Sequence, residues 1–161
     1  MAEDRVLNEP GSGSRELGIL YVSVSTLKLP ADAGQVDAIV SWSQVRNGNL
    51  DVTGALVFTE KRFAQYLEGP AENLDEVIAS IERDRRHRDI DFIYRRPLIG
   101  RRFPTWALAY AGPSTFVAGH VLAVADASGE TARAKSAERL IEMMQQFVQA
   151  QLAEQRRQRG G

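Results

Sequence analysis

Three side chains stand where the local pattern calls for something apolar: Tyr21, Gln65 and Trp106. The segment FAQYLEG, residues 63–69, reads as a strand, and strand side chains alternate between faces. Phe63, Gln65 and Leu67 therefore share one face, with an uncharged amide between two large apolar neighbours. A buried glutamine without a partner costs on the order of 1–3 kcal/mol, so Gln65 needs something to bond. A tyrosine hydroxyl from another strand would serve, and so would a bound heterocycle with carbonyl and ring-nitrogen acceptors. For Tyr21 and Trp106 the plain alternative is packing with the polar atom satisfied.

Conventional enzyme signals are missing from the sequence. The two histidines, His87 and His120, show no metal-ligand spacing, and there is no GxSxG elbow, P-loop or GxGxxG. The chain has no cysteine, which excludes disulfides and thiolate chemistry and fits a reducing cytoplasm. A formal charge of -1 over 161 residues gives no global attraction to nucleic acid or to an anionic membrane. No apolar run approaches the roughly 20 residues that span a bilayer. The polar, Gly/Ser-containing start, MAEDRVLNEPGSGSREL, lacks the apolar core of a secretory signal and reads as a disordered leader.

The elements that must position these residues follow from periodicity. GILYVSV (18–24) alternates as a strand with little solvent on either face. Val36, Ile39, Val40 and Val45 predict a helix over about 34–46, with Asn47-Gly48 as its stop. GALVFTE (54–60) and RFAQYLEG (62–69) predict a hairpin turning at Glu60-Lys61. Pro70 opens a second helix with a Leu74, Val77, Ile78, Ile81 stripe and a basic last turn, where Asp84 and Arg86 read as a solvated charge cluster. Residues 89–99 and 105–112 complete the strands. The order predicts an α+β, ferredoxin-like βαββαββ sandwich with a mixed five-stranded sheet and two helices on one face.

The opposite face carries Leu20, Val22 and Val24 and needs a cover. Residues 112–130 are weakly defined, with room for a short helix. From about 131 onward Ala137, Leu140, Ile141, Met144, Phe147, Val148 and Leu152 form an amphipathic stripe. That helix is expected across the bare face, within the chain or in a homo-oligomer. The expected organisation is a leader (1–16), the sandwich domain (17–112), a C-terminal helical cap or output element (113–155) and a frayed tail (156–161).

Taken together, N-x6-G from Asn47, F-x-Q-x-LEG from Phe63, I-x-RDRRH from Ile81 and RRF-x-x-W from Arg101 resemble the BLUF domain, the blue-light receptor family that uses FAD. The resemblance covers roughly residues 17–112. It implies that Tyr21 hydrogen-bonds Gln65, which contacts the flavin N5 and C4 carbonyl. It implies Asn47 on the pyrimidine edge, and Ile39 and Ile81 on the two faces of the ring. Phe63 would line the site and Ser43 would stand near the glutamine. Asp84, Arg86 and His87 would contact the far side of the ring and the ribityl chain. Trp106 would be the mobile tryptophan of the last strand. FAD is the implied cofactor, with FMN and riboflavin as alternatives. The sequence departs from the family pattern at Leu108, where methionine is frequent, and in a longer loop after the first strand.

The implied mechanism is photochemical. Tyr21 gives up an electron and a proton transiently, and Gln65 returns rotated or tautomerised with a new bond to the C4 carbonyl. The signal would pass through Trp106 and Leu108 to the C-terminal helices. With no effector domain within the 161 residues, an unidentified effector protein is the expected partner. Two other readings stand beside this one. One is a flavin-independent interaction module. The other is an acylphosphatase-like hydrolase, for which the loop STLKLPADAG offers one Lys and no Arg.

Overall fold

In the computed structural model the described residues are 15–105, 108–111 and 115–161. Residues 1–14 of the expected leader, and Trp106, lie outside them. The elements run β1 (Glu16–Ser25), α1 (Ala33–Asn49), β2 (Thr53–Phe58), β3 (Arg62–Pro70), α2 (Ala71–Arg83), β4 (His87–Pro97), β5 (Ala109–Ala111), α3 (Thr115–Asp126) and α4 (Glu130–Arg159). The five strands form one mixed sheet in the order β4-β1-β3-β2-β5. All pairs are antiparallel except β2 with β5. This is the expected ferredoxin-like α+β sandwich with one added strand.

Register explains the placement of the polar pair. β1 and β3 align Ile19 with Leu67, Tyr21 with Gln65 and Ser23 with Phe63. Residues directly opposite in an antiparallel pair project to the same face with Cβ atoms about 5 Å apart. Tyr21 and Gln65 are therefore neighbours by construction of the sheet. On this face two apolar clusters form. One joins Leu17, Ile19, Leu67, Leu74, Val77 and Ile81 under α2. The other joins Val36, Leu56, Phe58, Phe63 and Leu108 under α1.

The opposite face is covered within the chain. Leu20, Val22, Ala64 and Tyr66 of the sheet pack with Val121 and Val124 of α3 and with Ala137, Leu140, Ile141, Met144 and Val148 of α4. The stripe expected to cover the sheet does so, and it is buried rather than held out for another copy.

Several boundaries differ from expectation; β5, for one, is Ala109–Ala111 where a strand over 105–112 is expected. α1 runs past Asn47-Gly48, because the residue that takes the left-handed conformation is Asp51, with φ 54. The Leu50 N–H donates back to Arg46 and Asn47 carbonyls at 3.2 and 3.1 Å, so the last turn closes around the Asn-Gly pair. Val45, assigned to the inward stripe, is exposed, and Ser43 and Asn47 are buried in its stead. The weakly defined segment is a full helix, α3, and α4 continues to Arg159, so the tail is solvated as expected but helical rather than frayed.

Candidate functional site

The gap between the two apolar clusters is a cavity of about 490 Å³. That lies within the range typical of small-molecule sites. Tyr21, Ile39, Ser43, Phe63, Gln65, Ile81, Asp84, Arg86 and His87 all line it. β1 and β3 form the floor, α1 one wall, and the end of α2 with the turn into β4 the other. Two apolar side chains, Ile39 and Ile81, come from the two helices, while the sheet contributes hydrogen-bonding groups.

At the floor, Tyr21 Oη donates to Gln65 Oε1 at 2.5 Å. Both residues are almost fully buried. Tyr21 is framed by the rings of His87 and Phe92, each with its centroid 6.0 Å away. Burial pushes the Tyr21 phenol pKa far above its usual value, with Arg46 opposing and Asp84 adding to the rise. With Oε1 taken, the Gln65 Nε2 donors make no hydrogen bond among the described residues, and the side chain borders the cavity. The pair thus presents donors inward and asks for a ligand acceptor.

The wall after α2 is held by paired groups. Asp84 Oδ1 accepts from the Arg86 Nε and backbone N–H at 2.9 and 3.0 Å, and Oδ2 accepts from Nη2 at 2.6 Å. Burial alone would raise the Asp84 pKa, but the Arg86 donors and the nearby His87 hold it below the ordinary 3.8. His87 bonds through both ring nitrogens: Nε2 to the Ile81 carbonyl at 2.8 Å and Nδ1 to Ser23 Oγ at 2.7 Å. A carbonyl only accepts, so Nε2 carries the proton, and in the neutral ring Nδ1 accepts from the Ser23 hydroxyl. The ring lines the cavity, but its nitrogens are engaged in holding β4 to β1 and α2.

Asn47, expected at a ligand edge, sits in the last turn of α1. It is fully buried and does not line the cavity; its Oδ1 accepts from Arg46 Nε and Nη2, both at 3.1 Å. Arg46, which sequence reasoning missed, does line it, and Nη1 donates to Ser80 Oγ of α2 at 3.1 Å. Burial lowers the Arg46 pKa, with Tyr21 and Asp84 acting in the opposite direction. Helical spacing held the signal, since Ile39, Ser43 and Arg46 recur at i, i+4 and i+7 on one face. Trp42, Leu56, Ser80, Arg83 and Arg85 also border the cavity and had not been singled out. Leu108 is buried against α1, and its carbonyl accepts from Gln44 Nε2 at 3.1 Å.

Among the described residues no group of His, Cys, Asp and Glu could hold a metal ion. No described helix is long and apolar enough to cross a membrane. In the loop after β1, the Leu27 and Lys28 N–H groups donate to Ser25 Oγ and Asp32 Oδ2. Those two amides are engaged within the loop.

Comparison with known proteins gives a consistent result. The family of sensors of blue light using FAD, BLUF, matches residues 17–109, more than half of the chain. Photoactivated adenylate cyclase subunit beta of Euglena longa is 31% identical over 94 residues, 58% of this chain and 11% of that protein. The chain thus spans about a tenth of the length of such curated relatives. Among solved structures, BlrB, a BLUF protein in its dark state, is similar with a TM-score of 0.64 at 28% identity, over 78% of this chain and 98% of that one. The photo-activated state of BlsA has a TM-score of 0.68 at 18% identity, over 81% and 94% of the two chains, a likeness of fold.

Proposed function

The chain belongs to the BLUF family, the sensors of blue light using FAD, and from that premise we propose that the cavity between α1 and α2 holds the isoalloxazine ring of FAD. One observation carries the reading: the Tyr21–Gln65 pair leaves amide donors bordering a cavity with no acceptor for them among the described residues. The residues fit the group. Ile39 and Ile81 offer apolar side chains to the two faces of a planar ring, and Ser43 and Arg46 add a hydroxyl and a guanidinium for its polar edge. Asn47 contributes by holding the Arg46 guanidinium.

A bound flavin would supply absorption of blue light and an acceptor for one electron. Tyr21, kept neutral by burial, is the nearby donor, and its proton has a path along the bond to Gln65. After Tyr21 recovers both, Gln65 is left rotated or tautomerised. The exchange of its donor and acceptor ends changes hydrogen bonds to Tyr21 and to the ring without changing net charge.

Output then runs along β3. Three residues beyond Gln65, the fully buried Glu68 accepts from the backbone N–H of Arg102 and Phe103 at 2.8 and 2.6 Å. Arg102 in turn donates to Glu138 and Gln145 of α4. A shift of β3 would reach the segment before β5, where Trp106 stands in sequence, and α4, whose outer surface would be offered to an effector protein. With the α4 stripe buried, self-association would use the outer faces of α3 and α4 or the edge strand β4.

The test is spectroscopic. The full chain, purified or reconstituted with FAD, should show the flavin visible band, shift it to the red under blue light and recover in darkness. Tyr21→Phe should keep the flavin and lose that normal cycle. A colourless protein that takes up no flavin would overturn the proposal.

A further inference from the structure

We infer that Phe92 is a positioning residue for the Tyr21 phenol. Two bulges in β4 set it beside that ring, where it directs the phenol toward Gln65 and screens it from water at the open edge of the sheet. The inference rests on the reading of Tyr21 as electron and proton donor given above.

Register is the first observation. β4 is an end strand of the sheet, paired with β1. Leu20 of β1 aligns with Tyr94, and the next residue, Tyr21, aligns with Phe92 instead of Ile93. The extra residue in β4 is a bulge, and a one-residue slip turns the following side chains to the other face. With regular pairing Ile93 would stand opposite Tyr21 and Phe92 would lie on the α4 side. The bulge turns Phe92 to the cavity side, while Tyr94 packs in the α4 layer. A second extra residue follows, since Val22 aligns with Asp91 but Val24 with Arg88. There Asp89 takes the left-handed conformation, φ 52, and His87 comes opposite Ser25. The two irregularities bracket Phe92, and bulges re-aim side chains next to functional sites.

Contact and exposure are the second. β1 lies between β4 and β3, so Tyr21 has Phe92 on one flank and Gln65 on the other. The Phe92 ring meets the phenol ring edge-on, at 63° between planes. Such pairs favour a defined tilt of both rings. Phe92 does not border the cavity, so a ligand held there does not account for it. It is 39% exposed while Tyr21 is 3% exposed, so a half-wet ring stands between the phenol and solvent. The charged and titratable groups around the phenol are Arg46 of α1, Asp84 after α2 and His87 of β4. Opposite it on β4 the apolar screen is Phe92. Water admitted at that edge would compete with Gln65 for the phenol hydroxyl and give its proton another way out.

The experiment compares the full chain with its Phe92→Ala and Phe92→Leu variants, at a half-exposed position that the fold tolerates. Loaded with FAD, Phe92→Ala should hold flavin as the native chain does. Its yield of the red-shifted state per absorbed photon should fall by roughly twofold to tenfold, the population effect of one aromatic pair. Flavin fluorescence should rise with it, because a misplaced donor quenches less. Without flavin, the ultraviolet titration of the Tyr21 phenol is read as the difference from a Tyr21→Phe counterpart. In Phe92→Ala it should move down from far above the ordinary 10.0 toward that value, as water reaches the phenolate. Phe92→Leu, which keeps most of the apolar bulk, should restore most of both. A native value of either readout in Phe92→Ala would overturn the inference, whatever the variant's stability, and leave the flavin reading standing. A chain that takes up no flavin would overturn the flavin reading, and the phenol titration would then decide the screen alone.

Discussion

Tyr66 and Gln65 are adjacent in β3 and meet opposite fates. Gln65 borders the cavity with its acceptor engaged by Tyr21. Tyr66 points to the other face, where its hydroxyl is buried with no hydrogen-bond partner among the described residues. Its pKa is pushed far up by burial, and the Glu68 charge adds to the rise. Gly18 of β1 leaves the room it occupies, since a Cβ there would run into the Tyr66 hydroxyl. Because an unpaired buried hydroxyl is a cost, Tyr66→Phe should be neutral or raise stability by up to about 1–3 kcal/mol in denaturant unfolding. A clear loss of stability would mean that the hydroxyl has a partner. At this scale the sequence was informative wherever alternation exposed a misfit, as it did for Gln65 and Tyr21. It was silent on Arg46, because an arginine on a helix reads by default as solvated. It stopped α1 at Asn47-Gly48, because Asn-Gly reads as a helix stop, while the helix runs to Asn49 and the left-handed residue is Asp51.

Among elements, α1 and α4 show why some helices are easier to read than others. α4 buries Ala137, Leu140, Ile141, Met144 and Val148, an uninterrupted apolar stripe, and its cover of the bare face was legible. The inward line of α1 is Val36, Ser43 and Asn47, with Ile39 and Val40 half-buried, because it faces a cavity instead of a core. Half-polar stripes carry little periodic signal, so Val45 was assigned inward and proved exposed. The backbone of the loop before β5 is held in part by one buried side chain. Glu68 accepts from the Arg102 and Phe103 N–H groups and from Thr53 Oγ1. Glu68→Ala would leave two backbone donors without their partner and should lower unfolding stability by on the order of 3 kcal/mol. It should also decouple α4 from the light state, read as loss of any light-dependent change in α4 proteolysis. A variant as stable as the native chain would remove Glu68 from the proposed output route.

For the molecule as a whole, the sheet separates a closed apolar layer from one interrupted by a cavity. Ion pairs tie down the periphery: Arg101 to Glu16 at the start of β1, and Arg86 to Asp84 at the cavity wall. Hydrogen bonding from Arg101 lowers the Glu16 pKa below 4.5, and the Arg86 donors, against burial, hold Asp84 below 3.8. A carboxylate with a depressed folded value contributes stability that is fully present above its unfolded value. That contribution is lost as pH falls through the folded value, because the unfolded chain takes up protons first. The thermal midpoint should therefore hold steady near neutrality as far as these groups are concerned, and fall as pH drops below about 4.5. Asp84→Asn should lessen the acid-induced fall. A midpoint flat through that range would contradict these pairings. The overall topology was legible because element order, the hairpin turn and two apolar faces all pointed to one sandwich. The cavity was not, since it forms only where two clusters from distant segments fail to meet.

The central claim is that the Gln65 amide is the part that switches. Its most direct test is the light-minus-dark visible difference spectrum of Gln65→Leu, loaded with flavin, beside that of the native chain. Leucine keeps the size and removes both ends of the amide. The native protein should give a reversible red-shifted difference, and the variant should bind flavin and give none. A variant with the native difference spectrum would show that the switch lies elsewhere.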